Sequence, residues 1–429
     1  MRIVTIWIIC FYTAVRSHAQ LYADIQTQAG VITCELNFQQ TPRTVANFVS
    51  LAEGTRQWVD ERSGSLSRLK PAQPFYPGII FHRVINTEGF SIIQAGSKRG
   101  DGTDGPGYEF PDEMNLNLPA SYRFDQPYCL AMANSGPNTN GSQFFITGEP
   151  IEGLEGKHTV FGKVVSGQTV VDSILGSEVD ENDRPTTDVT IQSISIRRLG
   201  KLAQKFKPSS YKLPTLSAPT FKVTAAPSPA NTSRFLFKQS LNTELLVFAS
   251  IDPGLGQWQQ LNSRWYAPSP YTATYYDITY PQGMPITGFR PILAKYAADA
   301  VTPVVPRGYR LAMENDEGSY VFSLPAVGPL TYVFTPAGSD VPLNGNVKAD
   351  TLQYQAAPYH ALMAFELDSQ KIIYLQLGFD LKTKTELLGR CVFRIKNFVI
   401  TDADSGNGFY PEQFTEIGGD NRFSMTAIK

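Results

Sequence analysis

The sequence predicts a mainly β protein in two parts, and three observations lead there. Aromatic residues make up 12% of the 429 positions, alongside 34 glycines and 30 prolines, a mixture that favours strands and turns over long helices. Residues 20–200 mix helical and strand patterns, whereas 232–429 read as almost pure strand. Between them, residues 201–231 carry Pro208, Pro214, Pro219, Pro227 and Pro229 with several lysines, a composition suited to an extended, semi-rigid linker and not to a core. The length alone exceeds one ordinary domain. The formal charge of −2 argues against a general affinity for nucleic acid.

The first residues, "MRIVTIWIICFYTAVRSHAQ", place Arg2 before an apolar run from Ile3 to Val15. Ser17 and Ala19 are small residues at the two positions a signal peptidase inspects. Residues 1–19 therefore read as a secretory signal cleaved before Gln20, and the protein is expected to be exported, periplasmic or secreted. Thirteen apolar residues are too few to span a bilayer, and no later segment is long and apolar enough to do so. Cleavage would leave Cys34, Cys129 and Cys391, each in an apolar, strand-like run. An odd number without tight spacing reads as buried free thiols rather than a disulfide framework. An oxidising compartment would still allow a Cys34–Cys129 bridge.

"TPRTVANFVSLAEG" (41–54) predicts a helix. Val45, Phe48, Val49 and Leu51 share a face, and Thr41 and Pro42 make a suitable start. "GVITCELNF", "IIFHRVI", "YCLAMA", "QFFIT", "TVFGKVV" and "VTIQSISIRRL" predict strands, rich in β-branched and aromatic residues and bounded by turn chemistry. In the second half, "KIIYLQLGFDL" alternates with Ile373, Leu375, Leu377 and Phe379 on one face, and "RCVFRIKNF" does so with Cys391, Phe393 and Ile395. Turns are expected at Asn315–Gly318 and Asp368–Lys371, giving a meandering sandwich or barrel.

The stretch most informative about chemistry is "ANSGPNTNGSQFFI" (133–146): small polar and glycine residues ahead of two phenylalanines. It offers neither a nucleophile beside a base nor a run of metal ligands. Upstream stands "FHRVINTEGFSIIQAGS" (81–97), and downstream "LEGKHTVFGKVV" (154–165). Together they supply one strand-borne cation, Arg83, among Phe90, Gln94, Asn134, Gln143, Phe145, Leu154 and His158. Apolar surface, a few amides and one guanidinium suit a neutral, peptide-like ligand. "GDGTDGPG" has no following lysine and no P-loop spacing. Taken singly, Phe145 reads as a core aromatic, His158 as a packed histidine and His82 as structural, on the strand face opposite Arg83.

"FHRVI", "GDGTDGPGYEFPDE", "LAMANSGPNTNGSQFFI" and "GKHTVFGKV", in this order and spacing, resemble the cyclophilin family of peptidyl-prolyl isomerases, over residues 21 to about 198. The longer stretch "TRQWVDERSGSLSRLKPAQPFYPG" resembles bacterial members. The resemblance implies a closed eight-stranded barrel capped by two helices and rotation of X-Pro bonds in polypeptide clients, without metal, cofactor or covalent intermediate. By family position Arg83 meets the twisted amide, and Phe90, Ile92, Phe145 and Leu154 form the proline socket. Gln94 and Gln143 orient Arg83 or contact the substrate carbonyl. The backbone of Ala133, Asn134 and Ser135 pairs with the peptide, Gly102 permits close approach, and His158 closes the far rim. Two features depart from the family pattern: an additional residue between Phe90 and Gln94, and Gly153 where many members carry a ring.

Residues 232–429 show no catalytic signature. His360 stands alone. "TDADSGNGFYPEQ" (401–413) lacks the glycine and terminal glutamate of a calcium loop and reads as a polar turn, "NTS" (231–233) is a glycosylation acceptor only in a eukaryotic pathway, and the aromatics of 263–283 read as core or loop. A monomer is expected. Two functions compete: an exported folding catalyst whose β domain recruits clients or tethers the enzyme, and a non-catalytic protein that binds proline segments or the envelope. Retention of Arg83, Phe90, Gln143 and Phe145 favours the first.

Overall fold

The structure, a computed structural model, describes residues 19–114, 123–225 and, apart from 298–307, 398–414 and several shorter breaks, 232–428. Almost all of the expected leader, the 401–413 turn, the asparagine of "NTS", parts of 263–283 and the tips of the two expected hairpin turns lie outside the described residues.

Alternation begins at once. In β1 (Gln20–Thr27) Leu21, Ala23 and Ile25 are fully buried, and in β2 (Gly30–Leu36) Ile32 and Cys34 follow them inward. The expected helix is α1 (Pro42–Glu53), ended by Gly54 in the left-handed region at φ 67°. It starts at Thr41 and Pro42 as expected, but the Thr41 side chain makes no capping bond, because its hydroxyl donates to the Asn37 carbonyl. The Glu113 carboxylate instead accepts from the amides of Arg43 (3.1 Å) and Thr44 (2.7 Å), satisfying two orphan donors where the helix dipole favours negative charge.

A short hairpin, β3 (Val59–Asp60) and β4 (Ser65–Leu66), precedes β5 (Arg83–Thr87) and β6 (Phe90–Ala95). Then come β7 (Cys129–Met132), β8 (Phe144–Thr147), β9 (Val160–Ser166), α2 (Gln168–Leu175) and β10 (Ile191–Leu199). Eight strands form one antiparallel sheet in the order β10-β1-β2-β9-β7-β8-β6-β5. Both expected helices are present; α1 packs on β10, and α2 on β2 and β6. The closed barrel needs correction. The two edge strands are not joined by a ladder, because the Val84 amide turns to the Asp183 carbonyl at 2.7 Å. The seam is sealed instead just before β5, by the bridge Ile80↔Thr190 and the bonds Phe81 N to Val189 O (3.0 Å) and Ile191 N to Ile79 O (2.7 Å).

The segment expected to be a free linker is in part docked. A short helix, α3 (Gly200–Lys205), starts it, and Ala203, Phe206, Leu213 and Leu216 are buried in the same core as the first sheet. Proline content predicted poor core-forming ability, but four well-spaced apolar side chains suffice to pin the chain down. The strand Thr215–Ser217 then joins Gly288–Lys295, Thr243–Ser250, Gln259–Gln260 and Trp265–Ala267 in a second sheet. That sheet turns Leu246, Phe248, Ile292 and Ala294 into the first core. Phe248 closes directly on the β3–β4 turn at Gly64, where a Cβ would come within 2.7 Å of its own.

The C-terminal sheet is separate and curled. From one edge its strands run Leu343–Val347, Leu330–Pro336, Gly318–Leu324, Tyr309–Asn315, Arg422–Ala427, Glu386–Asn397, Lys371–Lys382, His360–Glu366 and Gln353–Ala356, with Thr415–Ile417 beside Glu386–Asn397. It curls far enough for Val347 to bridge Leu367. Ile373, Leu375, Leu377 and Phe379 face its own core as their alternation predicts, with Cys391 and Phe393. Residues 232–429 therefore form not one β unit but parts of several sheets: one shares the first core, the curled one has its own, and Thr232–Phe237 and Thr274–Thr279 join Lys222–Ala225 in a third. A strand pattern reveals which face is apolar, not which layer will cover it.

This joint core has a measurable consequence. Phe248→Ala removes a fully buried ring and should destabilise the full-length chain by about 3–5 kcal/mol. Urea unfolding followed by far-UV circular dichroism should show the transition of the first sheet moving to lower denaturant. An unmoved transition would mean that the sheets do not share a core.

Candidate active site

The site grows from the two-residue period of the strands. On one face of β5–β8, Val84, Ile93, Ala95, Leu130, Met132, Phe144 and Ile146 point into the main core. The intervening residues face the other way. Arg83 lies opposite Gln94, Gln94 opposite Phe145, and Phe145 opposite Ala131, one row across four strands. Beside that row Ile92, Phe145, Ala131, Cys129 and Ile151 form a second apolar cluster, against which Phe90, Ala133 and Leu154 pack half-buried. The expected socket of Phe90, Ile92, Phe145 and Leu154 is therefore brought together. Register also settles the additional residue in β6. Ile92 shares a face with Phe90 and Gln94, while Ser91 points away and donates to Asn86 Oδ1 at 3.2 Å.

The amides are fixed in a chain. Gln94 Nε2 donates to Gln143 Oε1 (3.0 Å), and Gln143 Nε2 donates to the carbonyls of Gly102 (2.8 Å) and Asp104 (2.9 Å). They hold one another and the 102–104 loop, not Arg83. The Arg83 guanidinium meets Asp183 instead, Nε to Oδ2 at 3.4 Å, with both side chains nearly half exposed. Such an exposed single contact is worth little, so a substrate can claim the guanidinium. Gly102 needs its left-handed φ of 76°, and a Cβ there would lie 3.2 Å from His82 Nε2. His82 is buried behind this loop, on the face away from Arg83.

His158 closes the socket. Its ring stands perpendicular to Phe145 at 5.3 Å, and Nδ1 lies 3.0 Å from the Met132 carbonyl. Burial pushes its pKa below the ordinary histidine value, so it acts as a neutral wall. A groove of about 300 Å³ continues from here, lined by Gln94, Gly102, Asp104, Ala133, Asn134 and Gln143. Asn134 is anchored by its side chain, Nδ2 to Lys157 O (2.9 Å), while its backbone N–H and C=O have no partner among the described residues. They are free to pair with an extended peptide. Ser135 is not: its N–H donates to Thr139 Oγ1 (2.8 Å), and its carbonyl accepts from Gln376. The expected backbone pairing at Ser135 is thus corrected, since Thr139 takes its N–H and Gln376 its carbonyl.

Two participants escaped the sequence reading. Phe124 stacks on Phe145 at 6.0 Å and binds the socket loop, its carbonyl accepting from Ile151 N at 2.8 Å. Its only signal was an aromatic residue shortly before a strand. Asp183 carried no signal at all, being one acid in a polar loop. Gly153 leaves its side of the wall open, with nothing within 4 Å of a Cβ placed there. Cys34, Cys129 and Cys391 are free and buried, so the Cys34–Cys129 bridge is not formed. Burial raises the Cys129 and Cys391 thiols to about 12, leaving them unreactive. Among the described residues no group of three or more potential ligands could hold a metal.

An apolar socket, a half-exposed guanidinium at its edge and an unpaired peptide unit beside it are an arrangement suited to gripping a proline-containing chain without breaking a bond. Comparison with known proteins agrees. Residues 22–196 match the family described as cyclophilin type peptidyl-prolyl cis-trans isomerase/CLD. Peptidyl-prolyl cis-trans isomerase B of Streptomyces anulatus is 47% identical over 180 residues, which cover 41% of this chain and 97% of that protein. Peptidyl-prolyl cis-trans isomerase A of Mycobacterium tuberculosis H37Rv is 47% identical over 176 residues, covering 41% and 91%. A crystal structure of a Cryptosporidium parvum cyclophilin is 31% identical, covering 42% of this chain and 98% of that one, with a TM-score of 0.34. The chain belongs to the cyclophilin-type peptidyl-prolyl cis-trans isomerases.

His82 gives the site's back wall a pH dependence. Burial, opposed by the Asp101 carboxylate and helped by Arg83 and Arg184, depresses its pKa from 6.5 to about 4. The unfolded chain thus binds the proton more readily. Stability is complete above pH 6.5 and is lost as pH falls toward 4, by up to about 3 kcal/mol. Urea unfolding at pH 7 and pH 4.5 should show a larger drop for the wild type than for His82→Gln. Equal drops would place the acid sensitivity elsewhere.

Proposed function

We propose that this protein is an exported folding catalyst that rotates X-Pro bonds in client polypeptides, with Arg83 as the group that favours the twisted amide. The peptide bond resists rotation by about 18–20 kcal/mol because of its partial double-bond character. Unaided X-Pro exchange takes tens of seconds. A catalyst need only bind the twisted form better than either planar one. At the twist, resonance is lost and the proline nitrogen gains a lone pair. The ring sits in the socket of Phe90, Ile92, Phe145 and Leu154, with His158 as its end wall. Asn134 N–H and C=O hold the chain on one side of the rotating bond. A guanidinium released from Asp183 donates to the nitrogen or to the adjoining carbonyl. The row Arg83–Gln94–Phe145–Ala131 beside the unpaired Asn134 backbone carries this reading, because it sets a cation, a flat apolar wall and a peptide-pairing edge along one face.

Arg83→Ala should lose about 100-fold or more in kcat/KM on a succinyl-Ala-Ala-Pro-Phe peptide while leaving the far-UV spectrum intact. Arg83→Lys should recover little, since lysine lacks the planar fork. Near-wild-type turnover by a folded Arg83→Ala protein would remove Arg83 from the mechanism. Export rests on the apolar leader ahead of Ser17-His18-Ala19. Protein recovered outside the cytoplasm should begin at Gln20 on N-terminal sequencing. A chain retained in the cytoplasm with Met1 intact would overturn that part.

A further inference from the structure

The groove's rim is held from the C-terminal sheet. Arg390, on the strand Glu386–Asn397, grips Asp380 with two bonds: Nε to Oδ2 at 2.8 Å and Nη2 to Oδ1 at 2.7 Å. The rest of its guanidinium reaches three loops of the first region. Nη2 donates to Asp112 Oδ2 (3.0 Å) and Asn138 Oδ1 (3.3 Å), and Nη1 donates to Gly156 O (3.3 Å). Asp112 follows the loop on one side of the groove. Asn138 lies in the turn that leaves Asn134. Gly156 stands between Leu154 and His158.

The two side-chain acceptors, Asp112 and Asn138, are committed elsewhere too. The Asp112 carboxylate is fully buried and also accepts from Asn138 N (2.8 Å) and Asn140 Nδ2 (2.6 Å). Asn138 sits in the left-handed region at φ 64°, with its Nδ2 donating to the carbonyls of Tyr359 and Phe379 and to Asp380 Oδ1. A second strand, Lys371–Lys382, adds Gln376, whose Nε2 donates to Ser135 O. Gly136 is bare against that carboxamide, and a Cβ there would fall on it. The 180 residues shared with the Streptomyces relative account for 97% of that protein, so these strands have no counterpart in it.

We propose that Arg390 and Gln376 are positioning residues for isomerisation, and that the C-terminal sheet is a working part of the peptide-binding groove. They touch no substrate. Gln376 takes the Ser135 carbonyl and so leaves Asn134 as the pairing edge. Arg390 fixes the turn behind Asn134 and the loop carrying Leu154 and His158 at one spacing. Without them the rim would have to be ordered by the peptide itself, which weakens binding more than it slows the bound rotation. The inference rests on the groove being the isomerase site.

The test uses the full chain and compares KM with kcat on the succinyl-Ala-Ala-Pro-Phe peptide. Gln376→Ala should raise KM about threefold, the scale of one neutral hydrogen bond. Arg390→Ala should raise it about tenfold or more, with kcat changing less, in keeping with charge-assisted bonds. Because Arg390→Ala strands the buried Asp112 charge and threatens folding, a second variant pairs Arg390→Gln with Asp112→Asn. Its neutral amides should fold and return KM part of the way. Arg83→Ala serves as the control. If it abolishes turnover while folded Gln376→Ala and the paired variant keep wild-type KM and kcat, the positioning role is overturned and the site stands. If activity falls only in proportion to the unfolded fraction, the role is merely structural and the proposal fails. If Arg83→Ala also leaves turnover unchanged, the groove is not the site and the proposal falls with it.

Discussion

Everything at the site depends on the sheet having two unlike faces at a spacing of one residue. Phe144 and Phe145 are neighbours in sequence, yet one belongs to the main core and the other to the socket. The same split separates Ile93 from Ile92 and Ala95 from Gln94. A register slip of one residue would bury Gln94 and expose the core. The position of the guanidinium relative to the socket is therefore set by a ladder that cannot slide without large cost. The loops only complete what the ladder has placed.

Those loops face the opposite problem. The segment 133–141 is made of small and polar residues and has little apolar surface with which to hold itself. Its order comes from hydrogen bonds: Ser135 N to Thr139 Oγ1, Gly136 N to Asn134 Oδ1, and the reciprocal pair between Asn138 and Asp112. A polar network of this kind is rigid only when every member is satisfied. Here the last acceptors are met from strands more than two hundred residues away. The buried Asp112 carboxylate is the clearest instance, because an unpaired charge at full burial would be strongly destabilising.

The sequence made the first sheet and its site readable to different depths. Alternation in 371–381 correctly set Ile373, Leu375, Leu377 and Phe379 on a core face, because a strand's period is a local property. The socket residues Phe90, Phe145 and Leu154 were legible only through their order and spacing along the chain, since each alone reads as an ordinary core residue. Asp183 and Phe124 were not legible: their partners, Arg83 and Phe145, are remote in sequence and nothing local marks them. The same holds for Arg390, an arginine in an alternating strand like any other until Asp112 and Asn138 are seen beside it. Proline content misled at 201–219 because composition measures average tendency, whereas docking there hangs on Phe206, Leu213 and Leu216.

The joint core changes what the second half of the chain is for. A tethering module on a free linker would leave the isomerase domain unaltered, and its contacts with that domain would be few and exposed. Instead Arg290 stacks on Trp258 at 3.9 Å and donates to the Ser63 carbonyl and, at 2.8 Å, to Ser65 Oγ, seating the second sheet on the β3–β4 hairpin. The Tyr296 hydroxyl accepts from the Glu109 amide at 3.3 Å and donates to Glu244 Oε2 at 2.8 Å. Both contacts fall on segments bordering the groove: the hairpin through Glu61 and the loop through Glu109. Burial of charge and aromatic surface at this interface couples the sheets mechanically. The loops that line the groove thus have the C-terminal half packed against their other side, and the added β structure shares hydrogen bonds and a core with the first sheet.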